Sequence, residues 1–304
     1  MKKINLYYPG FVKKAITFTI DDGNLAMDEK FMQILSPHGI RGTFNLCHTQ
    51  RLSAEEYRAF YKGYGIANHC KGHPMVFVPE KQYAFSKEPL NEENGDASLL
   101  YPTADSRVFQ CYPHKWRTYT DRDTYYSFSE ASREELLAVF GESAAKDFVW
   151  PHGEQKDPLL HEMLKKRYRS IRKTGSIMDT TGFSFPQDLH AWSYNAVHDN
   201  LLAAAELYEA YPDDGELKFF SFGVHSVDYE TNGRWDDLRC FAERMGNRPD
   251  VYYYAGVGEI FDYVQALHSL KISKTHIENP SALALYLTVA GERIVLAPHA
   301  TITL

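Results

Sequence analysis

The sequence predicts an α/β protein: a distorted (β/α)7–8 barrel of parallel strands with a small C-terminal β appendage. Three observations predict it. Short apolar runs alternate with stretches of helical periodicity, the pattern of parallel strands joined by crossover helices. The chain has 304 residues, and barrels of roughly 200–250 residues commonly fold as one domain. Near the C-terminus the alternation gives way to a hairpin pattern.

The elements follow in order. Ala15–Ile20 is an apolar, β-branched run and the first strand. Phe31, Ile34 and Leu35 then recur at i, i+3, i+4, a helix that Pro37 and Gly39 end. Gly42–Leu46 is the second strand. Ser53 and Glu56 form a capping box for the next helix, and Gly65-Ile66-Ala67 enters the third strand. Residues 75–131 break the rhythm and, being rich in Tyr, Pro, Asn and Asp, read as an inserted loop region. The alternation resumes with a helix near 132–140, a strand at Asp147–Trp150, a helix opened by Asp157 and Pro158, and a strand near Tyr168–Arg172. A helix near 200–211, the strand Lys218–Gly223, a helix near 236–245, the strand Val251–Tyr254 and a helix near 258–269 complete about seven units. Ala282–Val289 and Arg293–Leu296 flank an Ala-Gly-Glu turn and predict a hairpin. The expected domains are therefore 1–271, a barrel carrying the insert, and 272–304, the appendage.

Composition restricts the function. A net charge of −7 and a pI near 6.0 argue against nucleic-acid and anionic-membrane partners, which want a basic face. No run of about 18 apolar residues exists, so no membrane span is expected. The first 20 residues lack the apolar core of a secretory signal, which predicts a cytoplasmic protein, or an extracellular one if a leader has been removed. Four scattered cysteines make no CxxC pair and read as reduced thiols. Nothing in the sequence specifies an oligomeric state.

Function is read from where polar residues fall. Barrel active sites lie at the C-terminal ends of the strands. Four apolar runs end there in chemically competent residues: Asp21-Asp22-Gly23, Asn68-His69 with His73 four residues on, Pro151-His152-Gly153 after Trp150, and His225-Ser226. Adjacent carboxylates repel unless a cation uses their charge, although Asp21 or Asp22 could instead cap the helix starting near Asn24. In a helical turn, His69 and His73 would share one face and could offer two nitrogens to a metal. Two histidines and one carboxylate with an open position form a recurrent catalytic zinc site. His225 reads either as a core histidine or, opposite such a site, as a general acid.

These clusters, in this order, resemble the polysaccharide deacetylases, the NodB-homology domain of carbohydrate esterase family four, over about residues 14–269. The first motif stands as Thr19-Ile20-Asp21-Asp22-Gly23, the second as His69-Cys70-Lys71-Gly72-His73 followed by Pro74. Weaker resemblances lie in Phe148–Gly153, Phe222–Ser226 and Glu259–Tyr263. The resemblance implies Asp21 as catalytic base, His225 as acid, and Asp22, His69 and His73 as ligands of a divalent metal, most readily Zn2+, with Co2+, Ni2+, Fe2+ or Mn2+ as alternatives. The departures are Val149 in place of the third motif's arginine, His152 in place of its aromatic residue, and Cys70 in place of a hydroxyl residue. Arg172, near a strand end, is a candidate for the missing guanidinium. His152, Trp150, Arg172, Tyr112 and Trp116 are candidate substrate-binding residues, since aromatic faces suit sugar rings, although insert aromatics could equally pack the insert onto the barrel.

The implied activity is metal-dependent hydrolysis of acetyl groups from N- or O-acetylated carbohydrate. A metal-dependent amidohydrolase acting on a small cyclic amide, imide or ureide is the first alternative. A catalytically inactive carbohydrate-binding protein is the second.

Overall fold

The strand Lys14–Asp21 (β1) shows how the sequence builds the molecule. In the computed structural model, which describes residues 3–76, 84–85, 87, 99–102, 108–111, 118–153, 157–173 and 182–304, its side chains alternate between two faces. Ile16, Phe18 and Ile20 enter the main core, whereas Thr17, Thr19 and Asp21 point the other way, buried among polar groups. Thr43–Leu46 (β2) repeats the pattern, with Phe44 and Leu46 in the core and Asn45 on the polar face. The helices Leu25–Leu35 (α1) and Ala54–Phe60 (α2) cover the apolar face, with Asn24 and Ser53 as their N-caps. Asn24, not either aspartate, caps α1, which leaves Asp21 and Asp22 free for other work.

Further strands are Gly65–Asn68 (β3), Asp147–Val149 (β4), Ser170–Arg172 (β5), Lys218–His225 (β6) and Tyr252–Tyr254 (β7). All pair in parallel, in the order β5-β4-β3-β2-β1-β6, while β7 pairs with Lys14–Ile16 of β1 below the place where β2 pairs with Thr19–Asp21. The segment 192–196 joins the two edges: Trp192 bridges Arg172, and Ala196 bridges Phe222. The expected α/β architecture of parallel strands and crossover helices is therefore present, with seven strands in this sheet among the described residues. Segment 192–196 was not foreseen. It lacks a long apolar run, and its backbone is fixed by the neighbouring edges through bonds such as Lys173 N–H to Trp192 O and Asn195 N–H to Ser221 O.

The insert differs from the expectation of a loop. Arg122–Phe140 is one helix (α3), beginning about ten residues before the expected start and capped by Asp121. Its first turns contain Thr, Tyr and Phe, whose weak helix propensities hid it, and burial of Tyr125 in a core with Phe148 and Trp150 decides the matter. Upstream, Met75–Val76, Ala84–Phe85, Leu99–Pro102, Val108–Cys111 and Thr118–Thr120 form a small mixed sheet.

The remaining helices are Pro158–Lys165 (α4), Leu201–Ala210 (α5), Ser226–Thr231 (α6), Trp235–Met245 (α7) and Val257–His268 (α8). The hairpin Leu285–Val289 and Glu292–Leu296 is present, turning through Ala290 and Gly291 at positive φ. Its free edge pairs with Ile4–Tyr7, so the N-terminal strand joins the C-terminal sheet rather than the parallel one. No helix among the described residues is long and apolar enough to cross a membrane. Cys47, Cys70 and Cys240 form no disulfide.

Candidate metal centre and active site

The parallel register lines up one row of side chains at the C-terminal edge of the sheet. Asp21 is the register partner of Asn45 on β2 and of His225 on β6. All three stand on the face that points away from the covering helices. Beyond this row, Asp22 leaves the strand with φ of 76° and Gly23 follows with 70°, turning the chain into α1. Strand β6 lies so close to β1 that a Cβ on Gly223 would stand 2.0 Å from the Thr19 carbonyl oxygen, which requires glycine there.

His69 and His73 do not share a helical turn, as the i, i+4 spacing suggested. They bracket an irregular loop in which Cys70, Gly72 and His73 all have positive φ, and Pro74 keeps the last of them out of the right-handed helical region. Of the nine non-glycine residues with positive φ among those described, Asp22, Cys70, His73 and His152 all belong to this region. Such conformations persist where surrounding structure holds them, and they concentrate at functional sites.

The geometry calls for a cation. The Nδ1–H of His69 donates to the Val149 carbonyl at 3.0 Å, so its Nε2 presents a lone pair. That nitrogen is buried without a hydrogen-bond partner and stands 3.3 Å from Asp22 Oδ1. His73 Nε2 lies 3.5 Å from the same oxygen. One ligand atom from each of Asp22, His69 and His73 falls within 4.8 Å of the others. Lone pairs converging on an anion repel unless a positive charge joins them, and two imidazoles with a carboxylate fit a divalent metal. Burial and the neighbouring His69 push the His73 pKa down to about 3, keeping it neutral as a ligand must be. Burial alone would raise the Asp22 pKa, but the neighbouring imidazoles, His69 first and then His225 and His73, hold it well below the usual carboxylate range.

Asp21 is arranged differently. It is only 2% exposed, and the Arg172 guanidinium donates from Nη2 to both of its oxygens at 2.5 Å. Asn45 Nδ2 adds a third bond at 2.7 Å. Burial opposes ionisation here, yet Arg172 and then His69 lower the pKa, so Asp21 is a carboxylate. Arg172, expected as a substitute for the missing guanidinium, is thus paired with Asp21. It is fully buried beneath the Tyr194 ring and does not face a ligand as a substrate-binding residue would.

On the opposite side, His225 ends β6 and caps α6. Asp228 Oδ2 accepts from its Nδ1 at 2.9 Å and from its backbone N–H, leaving Nε2 toward Asp22 at 3.7 Å. Burial would lower the His225 pKa, but Asp228 first, with Asp21 and Asp22, lifts it to about 9.

These groups line one cavity of about 780 Å³ with Cys47, His48, Gly72, His152 and Val227. His152 reaches it, but its Nε2 is hydrogen-bonded to the His73 carbonyl at 3.1 Å, bracing the ligand loop. Trp150 does not line the cavity. It is fully buried against Phe148 and Tyr125, because it packs with α3 and α4 on the far face of the sheet edge. Cys70 fills the same apolar cluster. Tyr112 and Trp116 lie outside the described residues. Sequence reasoning overlooked Asn45, Cys47, His48 and Asp228. The first three form the polar end of the run Thr43–Leu46, the same signal that marked the other strand ends. Asp228 stands three residues after His225, at capping-box spacing.

No curated protein matches the chain. Among solved structures, the chain is similar to the peptidoglycan deacetylase PdaC of Bacillus subtilis, at 12% identity over 84% of this chain and 94% of that one, with a TM-score of 0.45. A family 4 acetyl xylan esterase from Clostridium thermocellum, in complex with a cobalt ion, is 14% identical over 81% and 90%, with a TM-score of 0.44. A family 4 carbohydrate esterase from Streptomyces lividans, in complex with acetate, is 12% identical over 79% and 91%, with a TM-score of 0.42. The family model for polysaccharide deacetylase matches residues 10–171, just over half of the chain and the segment carrying Asp21, Asp22, His69 and His73, and so the chain belongs to the polysaccharide deacetylase family.

Proposed function

We propose that the protein is a metal-dependent deacetylase that hydrolyses acetyl groups from N- or O-acetylated carbohydrate. The reading is carried by one observation: Asp21, Asp22, His69, His73 and His225 meet in one cavity, with the buried Nε2 of His69 unpaired and directed at Asp22. Asp22, His69 and His73 would hold the metal, for which Zn2+ suits the donor set best and Co2+, Ni2+, Fe2+ and Mn2+ remain alternatives. When bound, a divalent cation acidifies water and polarises a carbonyl.

The protein's own groups supply the proton transfers. Asp21, kept ionised by Arg172, accepts a proton from the attacking water. Its bonds to Arg172 and Asn45 fix the carboxylate, so little reorganisation accompanies the step. His225 carries a proton on Nε2, because Asp228 holds Nδ1, and delivers it to the departing nitrogen or oxygen of the sugar. The two groups flank the cavity from neighbouring strands, so base and acid act from different directions on one carbonyl.

The test is acetate release from acetylated glucosamine and xylose oligomers, with cyclic imides and ureides assayed alongside. Chelation abolishes release, Zn2+ or Co2+ restores it, and Asp21→Asn lowers kcat by at least about 10²-fold while still binding metal. A protein that takes up no metal on titration, or that hydrolyses only the cyclic amides, overturns the reading.

A further inference from the structure

Asp28 is a buried carboxyl that this chemistry leaves unused. It sits on the apolar stripe of α1, in line with Phe31, Met32 and Leu35, where an aliphatic residue would be the stable choice. It is fully buried, yet it is a carboxyl group, and burying one is costly unless it is well bonded. Its Oδ1 accepts from Ser226 Oγ at 2.6 Å and its Oδ2 from the Tyr61 hydroxyl at 2.8 Å. Ser226 is also fully buried and is the first residue of α6, directly after His225.

That location matters because α6 has six residues and cannot hold itself in place by its own hydrogen bonds. Its first turn carries both His225, as N-cap, and Asp228, which orients the His225 ring. Tyr229, buried in the main core, anchors one side of the helix, and the Ser226–Asp28 bond anchors the end that faces the cavity.

We infer that Asp28 is a positioning residue for the reaction: through Ser226 it fixes the first turn of α6 and thereby the direction in which His225 presents Nε2 to the leaving group. The inference rests on the reading of His225 as general acid. Tyr61, the other partner of Asp28, lies at the end of α2 and plays no part in that route.

The dependence of rate on the leaving group tests it. An amide needs its nitrogen protonated on departure, whereas an activated aryl acetate needs no proton. In the metal-loaded enzyme, Asp28→Leu, which removes the acceptor of the Ser226 hydroxyl, and Ser226→Ala should each lower kcat for an N-acetylated sugar about tenfold, part of the 10²–10⁴-fold that acid catalysis provides, with KM little changed. Turnover of 4-nitrophenyl acetate should stay within about twofold by the same reasoning. Tyr61→Phe removes a bond to the same carboxyl group and should leave the amide-to-ester ratio at its wild-type value. Conservative rescue is read in Ser226→Thr, which restores the ratio by keeping a hydroxyl.

If Asp28→Leu and Ser226→Ala slow both substrates alike, or if Tyr61→Phe shifts the ratio as they do, the inference is wrong and Asp28 is a structural brace. His225→Ala, run in parallel, separates this from failure of the underlying reading. A leaving-group effect in His225→Ala without one in Asp28→Leu removes only the present inference. Its absence in His225→Ala removes the acid role and the inference with it.

Discussion

Asp21 and Asp22 are neighbours in the chain, yet they belong to two regions built on different principles. Asp22, His69 and His73 stand on turns, at positive φ for two of the three, and are partly open to the cavity. Asp21 stands in a strand row with Asn45 and His225, buried in the cavity wall and paired with a guanidinium 151 residues away. The turn region assembles lone pairs that only a cation reconciles. The strand region reconciles its own charge. The first cluster should therefore be unstable until something binds, whereas the Asp21 carboxylate in the second already has its counter-charge in Arg172.

The largest effect comes from emptying the turn region. His69→Ala removes the buried, unpaired nitrogen that faces Asp22, and turnover should be lost altogether. The same variant sharpens the comparison through stability. A cation binding only the folded state at about 100 times its dissociation constant adds about 2.7 kcal/mol. Zn2+ should therefore raise the wild-type Tm, and His69→Ala should remove most of that rise while leaving the metal-free Tm close to wild type. A metal-free His69→Ala protein that melts far below wild type would mean the two regions are not independent.

The next effect comes from breaking the strand region. Arg172→Met leaves Asp21 charged, buried and short of its main partner, a change that typically costs about 3–5 kcal/mol. Denaturant unfolding measures it, and metal should still bind, because Asp22, His69 and His73 are untouched. A loss below about 1 kcal/mol would show that Asn45 and solvent compensate, contrary to the burial of the pair.

The two regions also differ in how far the sequence reveals them. Asp22, His69 and His73 were legible because each follows an apolar run within a few residues, and a short pattern carries the signal. The i, i+4 spacing of His69 and His73 fits a helical turn but does not report φ; the left-handed backbone at Cys70 and His73 goes with Pro74 and with packing of Cys70 against Tyr125 and Trp150. Arg172 was visible as a basic residue at a strand end and, through the family resemblance, as a stand-in for the guanidinium that orients Asp21; strand order, with β5 and the bridging segment 192–196 around β1, brings the two together. Asp28 carried only a faint signal, its i, i+3, i+4, i+7 spacing with Phe31, Met32 and Leu35. At its position on α1 a carboxyl reads as a first-turn residue favoured by the helix dipole, and only the arrival of Ser226 from 198 residues away shows that it is buried.

The last and smallest expected effect is one of stability and concerns that buried carboxyl. Burial pushes the Asp28 pKa from its ordinary 3.8 up to about 7, although Ser226 and Tyr61 pull the other way. Between these values the folded state holds a proton that the unfolded chain has released, so unfolding free energy falls as pH rises across that window and levels off above it. A rise of about three units corresponds to about 4 kcal/mol at most, spread over the window. Asp28→Asn cannot titrate, so the difference in stability between the variant and the wild type should shift in the variant's favour from pH 4 to pH 8. Asp21 gives the opposite sign: its pKa is lowered in the fold, so its contribution is present above the ordinary carboxylate range and is lost as the pH falls through the depressed value. A wild-type minus Asp28→Asn difference that stays flat across pH 4–8 would mean that Asp28 keeps its ordinary pKa and that water reaches the carboxyl behind α1.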